Sequence, residues 1–118
     1  MKKENVIREK SYAFAVKIVN VCRIIQREQS EYVLSKQLLR SGTAIGANIE
    51  EAIGGYSRKD FHSKLSISYK EARETKYWIR LLTDASILNP AKAQPLLQDI
   101  NELLRILASI QITLNKPT

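Results

Sequence analysis

The chain is poor in the residues on which most binding and catalytic chemistry rests. It has one cysteine, Cys22, and one histidine, His62. A lone thiol excludes an internal disulfide and a multi-cysteine zinc site within one chain. A lone imidazole excludes most metal and triad arrangements within one chain. Four glycines and three prolines are too few for a collagen-like or low-complexity chain. Long apolar runs are also missing. Tyr12-Ala13-Phe14-Ala15-Val16 is ended by Lys17, whereas a membrane span needs about 20 mainly apolar residues. The charged start Met1-Lys2-Lys3-Glu4-Asn5 leads into no apolar core of a secretory signal. The cytoplasm is therefore the expected compartment, with no membrane partner.

Period-two alternation, the mark of a strand, is absent as well. The apolar residues recur at three and four instead. The first stripe is Ile7, Ser11, Phe14, Ile18, Val21, Ile25, and Glu28-Gln29-Ser30 ends it. The second is Leu34, Leu38, Ser41, Ile45, Asn48, Ala52, with Ser30 as the expected N-cap. Gly54-Gly55 should stop this helix through a left-handed residue. Ser57-Arg58-Lys59-Asp60 is close to a capping box and opens the third helix. Its stripe is Phe61, Leu65, Ser68, Ala72, Thr75, Ile79, Leu82. A second stripe beside it, Ile67, Glu71, Glu74, Trp78, Leu81, Ala85, gives this helix a further face for a neighbour, such as another subunit. Asn89-Pro90 caps and starts the fourth helix, although Pro95 would break a bond and move the regular start there. The fourth stripe is Leu96, Ile100, Leu103, Leu107, Ile110, Leu114, and Lys116-Pro117-Thr118 closes the chain. The 118 residues, 1–118, thus read as one domain: an all-α, antiparallel up-down-up-down four-helix bundle.

The tests for chemistry fail on spacing. A carboxylate-bridged di-metal bundle needs Glu-x-x-His, and Lys59 stands three before His62. Gly42-Thr43-Ala44-Ile45-Gly46 lacks the spacing and lysine of a phosphate loop. These two glycines are expected to admit a neighbouring helix, since each costs roughly 1 kcal/mol of helix propensity against alanine. Arg58 and His62 are too close to match a bundle ribonuclease, and Cys22 reads as a packed thiol. No catalytic residue, metal site or cofactor is expected. Polar groups on apolar helices must find partners if buried. The sequence therefore suggests a structural polar cluster of Arg40, Asn48, Glu51, Glu71 and Glu74, setting helix register.

Nineteen Lys and Arg against twelve Asp and Glu leave a net charge of +7. The excess lies in residues 1–30, at +4, and 58–89, at +3. Arg73, Lys76 and Arg80 recur at three and four, so they share a helix face. With Lys2, Lys3, Arg8 and Lys10 they form a diffuse phosphate-binding signature. The sequence shows neither a helix-turn-helix reader nor an aromatic stacking platform, so sequence-specific readout is not expected.

Two stretches carry a family resemblance. They are Gln37-Leu38-Leu39-Arg40-Ser41-Gly42-Thr43-Ala44-Ile45-Gly46-Ala47-Asn48-Ile49-Glu50-Glu51-Ala52 and Lys64-Leu65-Ser66-Ile67-Ser68-Tyr69-Lys70-Glu71-Ala72-Arg73-Glu74-Thr75-Lys76-Tyr77-Trp78-Ile79-Arg80-Leu81-Leu82. The chain resembles the four-helix-bundle proteins encoded in intervening sequences of bacterial large-subunit ribosomal RNA genes. That family also includes the accessory variability determinant of diversity-generating retroelements. Arg40, Ser41, Asn48, Glu51, Glu71, Thr75 and Trp78 match its recurrent positions. The resemblance implies a homopentameric, barrel-like ring with a basic surface and no known enzymatic activity. It also implies that the retroelement member binds a reverse transcriptase and nucleic acid. The expected function is a non-enzymatic, self-assembling bundle that binds RNA or DNA weakly through phosphates. The alternative is an oligomeric adaptor that docks a protein partner such as a reverse transcriptase.

Overall fold

The structure, a computed structural model, describes residues 2–115, the side chain of Lys2 excepted. Met1 and the closing Lys116-Pro117-Thr118 lie outside the described residues. Four helices follow one another: α1 (Lys2–Gln29), α2 (Val33–Ile53), α3 (Arg58–Asp84) and α4 (Pro90–Asn115). There is no strand among the described residues. Neighbours in sequence pack as neighbours in space, and α4 closes the ring against α1. Partners across each seam run in opposite order. Along α1 and α4, Lys3 meets Ser109, Lys10 meets Glu102 and Lys17 meets Asp99. Along α2 and α3, Glu51 meets Lys64 while Arg40 meets Glu71. The bundle is therefore antiparallel and elongated, 51 × 21 × 19 Å.

The stripes seat the core with one-residue corrections. Ile7, Ser11, Phe14, Ile18 and Ile25 of α1 are buried, but Cys22 rather than Val21 fills the fifth turn. On α2, Ser35 and Ile49 are buried, whereas Leu34 and Asn48 are half-buried. Phe61 and Leu114, at the bundle's end, are also half-buried. A small polar residue displaces Leu34 because it has partners: the Cys22 thiol donates to the Ser35 carbonyl at 3.4 Å, and Gln26 Nε2 donates to Ser35 Oγ at 3.2 Å. Hydropathy alone ranks Leu above Ser and misses this.

The helix ends differ from expectation in three places. Ser30 is not the N-cap of α2. It adopts a left-handed φ of 52° and donates its N–H to the Gln26 carbonyl, ending α1. Glu31 caps α2 instead, its carboxylate accepting from the N–H groups of Leu34 and Ser35 at 3.0 and 2.8 Å. Desolvation pushes this carboxyl's pKa up, but the donated N–H bonds win and hold it below the ordinary value. Gly54 and Gly55 do end α2, yet neither is left-handed. At Gly55 space is tight: a Cβ there would stand 2.6 Å from Asp60 Oδ2, at the end of a side chain, and 3.2 Å from the Ala52 carbonyl oxygen. Pro95 does not delay α4, which runs regularly from Pro90. Pro95 and Ala91 are both exposed, so the Ala91 carbonyl left without an intrahelical donor lies on the water-facing side.

The other caps follow the sequence. Ser57 Oγ accepts from the Asp60 N–H at 3.0 Å, and Asn89 Oδ1 accepts from the Ala91 N–H at 2.7 Å. The end of α3 was not foreseen. Ser86 takes φ 63°, its N–H reaching the Thr83 carbonyl while Ile87 donates to the Leu82 carbonyl. That is a Schellman motif with serine where glycine is usual.

Candidate nucleic-acid interface

Small residues set how closely α2 lies between its neighbours. Gly42 faces Ile18 of α1, and a Cβ there would stand 2.8 Å from Ile18 Cγ2. Gly46 faces Ser11 in the same way, at 3.3 Å from its Oγ. On the other side Ser68 Oγ donates to the Ile45 carbonyl at 2.9 Å, and Thr75 Oγ1 donates to Ser41 Oγ at 3.0 Å. The Gly-x-x-x-Gly spacing thus serves close helix approach.

The expected polar cluster splits. Arg40 of α2 reaches across to α3, pairing with Glu71 at 3.0 Å and with Glu74. Trp78 Nε1 donates to the same Glu74 oxygen at 3.1 Å. The hydrogen bond to Glu71, set against some desolvation, holds the Arg40 guanidinium above its ordinary pKa. Asn48 and Glu51 do not join. Asn48 Nδ2 bonds back to the Ala44 carbonyl, and Glu51 pairs with Lys64. The reason is reach: Asn48 and Glu51 lie two to three helical turns beyond Arg40 on α2. Arg40 is half exposed, so its pairs are screened. Arg40→Ala should cost about 1 kcal/mol in urea unfolding and shift Trp78 emission, because Glu74 loses the cation that orients it. An unchanged emission spectrum would show that the pair does not hold the indole.

The expected phosphate-binding residues divide between two helices with different electrostatics. On α1 the cations are largely engaged. Arg8 pairs with Glu50 at 2.7 Å, Lys10 with Glu102 at 3.1 Å, and Lys3 donates to Ser109 Oγ at 2.6 Å. The Lys2 side chain lies outside the described residues. On α3, Arg73, Lys76 and Arg80 line one open groove together with Tyr69, Tyr77 and Leu104 of α4. None of these three cations pairs with a carboxylate among the described residues. Each guanidinium or ammonium is thus available to a phosphate without first breaking an ion pair. Two features escaped the sequence reading. The α1 cations have carboxylate partners on other helices, which charge counting along the chain does not see. The tyrosines at 69 and 77 share the stripe of Arg73 and Arg80 at three- and four-residue spacing, a signal present in the sequence but overlooked.

His62 is half-buried, and its Nε2 has no hydrogen-bond partner among the described residues. Among the described residues no group of three or more His, Cys, Asp or Glu side chains is placed to hold a metal ion. No helix among them is long and apolar enough to cross a membrane.

Residues 3–109 match the profile of the family described as 23S rRNA-intervening sequence protein. A crystal structure from Bacteroides thetaiotaomicron, described as a protein with unknown function from the S23 ribosomal protein family, is 46% identical to the chain. It superposes with a TM-score of 0.91 over 93% of this chain and 98% of that one. No curated protein matches the chain.

Proposed function

We propose, for a chain that belongs to the family of 23S rRNA-intervening sequence proteins, a non-enzymatic role: a self-assembling cytoplasmic bundle that binds nucleic acid through its phosphates. The observation that carries this reading is the set of three cations along one groove, Arg73, Lys76 and Arg80, which have no carboxylate partner among the described residues. Nucleic-acid phosphates are dense, fixed anions, and each neutralised phosphate releases a counterion. Three cations on about two turns of helix form a compact patch for such contacts. Lys3, Arg8 and Lys10 extend the positive surface more weakly, since they are already engaged. Assembly into a ring, pentameric as the family resemblance implies, would repeat the patch and multiply the +7 of each copy. The exposed Ile67 and Leu81 on the outer face of α3 support a subunit contact.

Binding should be clear at about 50 mM salt and weaken steeply as salt rises. Replacing Arg73, Lys76 and Arg80 together by Ala should lower the slope of log K against log salt by about 2 to 3. Fluorescence anisotropy over a salt series measures this. Absence of any binding at low salt would overturn the reading. It would favour the adaptor alternative, which draws support from a surface hollow between α1 and α4, where Val6 and Ile106 are flanked by Lys3, Arg105 and Ser109.

A further inference from the structure

The groove that holds the three cations also holds two aromatic rings. Tyr69, Arg73, Lys76, Tyr77 and Arg80 fall within one stripe of α3, spaced by three and four residues, and Leu104 of α4 forms the apolar side. The stripe is about 17 Å long at 1.5 Å per residue. Tyr77 is 55% exposed. Its ring stands edge-on to Trp78, with centroids 5.2 Å apart and planes at 75°. Trp78 is itself held through Nε1 by Glu74, which Arg40 grips from α2. The exposed ring therefore rests against an indole that is itself tied to Glu74. Tyr69 is half-buried and packs against the core, so its position is set as well. The two rings are separated by about 12 Å along the helix.

A duplex gives these rings nothing to stack on, because its base faces cover one another and only base edges, sugars and phosphates are exposed to a helix. Single strands offer unstacked bases, and every base has a π-face that an aromatic ring can cover without reading sequence. Cations along the backbone and rings between them are the combination that grips a single strand. We infer that the Tyr69–Arg80 groove binds single-stranded nucleic acid, stacking a base on Tyr77 while Arg73, Lys76 and Arg80 hold the flanking phosphates. This inference rests on the phosphate-binding reading above and narrows it to single strands.

The test uses the full chain and three fluorescein-labelled probes of 20 nucleotides or base pairs in anisotropy titrations at about 50 mM salt. The probes are oligo-dT, oligo-U and a mixed-sequence DNA duplex. Both single strands should bind at least about tenfold tighter than the duplex. Tyr77→Ala should weaken both single strands by roughly tenfold or more, leave the duplex unchanged and preserve the salt slope. Tyr77→Phe keeps the ring and should bind as the parent does. Circular dichroism verifies that each variant remains helical. Equal binding of strand and duplex, or a Tyr77→Ala variant that loses nothing, would overturn stacking while leaving phosphate binding intact. Failure of all three probes to bind would overturn the phosphate reading itself, and the inference with it.

Discussion

Gly42→Ala should destabilise the bundle by about 1 to 2 kcal/mol in the parent chain, yet stabilise it by about 1 kcal/mol once Ile18 is truncated to Ala. Two effects oppose each other at this position. Alanine gains roughly 1 kcal/mol over glycine in a helix interior. Against this, the added Cβ would lie 2.8 and 3.0 Å from Ile18 Cγ2 and Cγ1. Ile18 is fully buried, so its branched side chain has nowhere to retreat without pushing the core. Overpacking of that kind typically costs about 1 to 3 kcal/mol. Ile18→Ala alone should cost about 2 to 5 kcal/mol through lost burial and an unfilled cavity. It also removes both atoms that obstruct position 42. In that background the propensity gain survives and the new methyl fills part of the cavity. A double-mutant cycle by urea unfolding measures the coupling, which should favour the double variant by about 2 kcal/mol or more. Additive costs would mean that α1 and α2 do not approach at this point as described.

The same pair shows how far the sequence can be read. The glycine spacing at 42 and 46 signals a close helix neighbour, because two costly glycines about one turn apart need a packing reason. It does not say which helix. Ile18 and Ser11 on α1 become the neighbours only when α1 folds back against α2. The stripes behave alike. On α3 every residue from Leu65 to Leu82 in the expected stripe is buried, even though Ile67 and Leu81 stand one position away, because Ser68 and Thr75 hold their core places by hydrogen bonds to the Ile45 carbonyl and Ser41 Oγ of α2. On α2 the reading slips at Leu34 and Asn48, where Ser35 and Ile49 take the core places. Ser35 is buried through hydrogen bonds from Cys22 and Gln26, partners 13 and 9 residues distant. The candidate site divides on the same line. Arg73, Lys76 and Arg80 come together because they share one helix, so spacing suffices. The pairing of Arg8 with Glu50 crosses 42 residues and is invisible to spacing. Arg40 was singled out beside Glu71 and Glu74 through unmet polarity, and α2–α3 packing supplies the contact.

Cys22 should react with a thiol reagent at least about a thousandfold more slowly in the native protein than in guanidinium, because reaction requires opening of a bundle stable by several kcal/mol. The thiol is 1% exposed and donates to the Ser35 carbonyl inside the α1–α2 seam. Burial also pushes its pKa from 9.0 up to about 12, so little nucleophilic thiolate forms even at mildly alkaline pH. The same shift links stability to pH. The charged form is the deprotonated one, and the fold disfavours it. The contribution of the neutral thiol is fully present below the unfolded pKa near 9 and declines as pH climbs toward about 12. Tyrosines and lysines also titrate in that range, so the comparison that isolates Cys22 is parent against Cys22→Ala. Alanine has no titratable proton and leaves only a small cavity. The parent's advantage over Cys22→Ala should shrink steadily from pH 9 to 11 in denaturant titrations. A difference constant with pH would show that water reaches the sulfur. Rapid labelling of the native thiol would show the same for the seam, and the closely packed α1–α2 contact at Gly42 would then have to open on the timescale of the reagent.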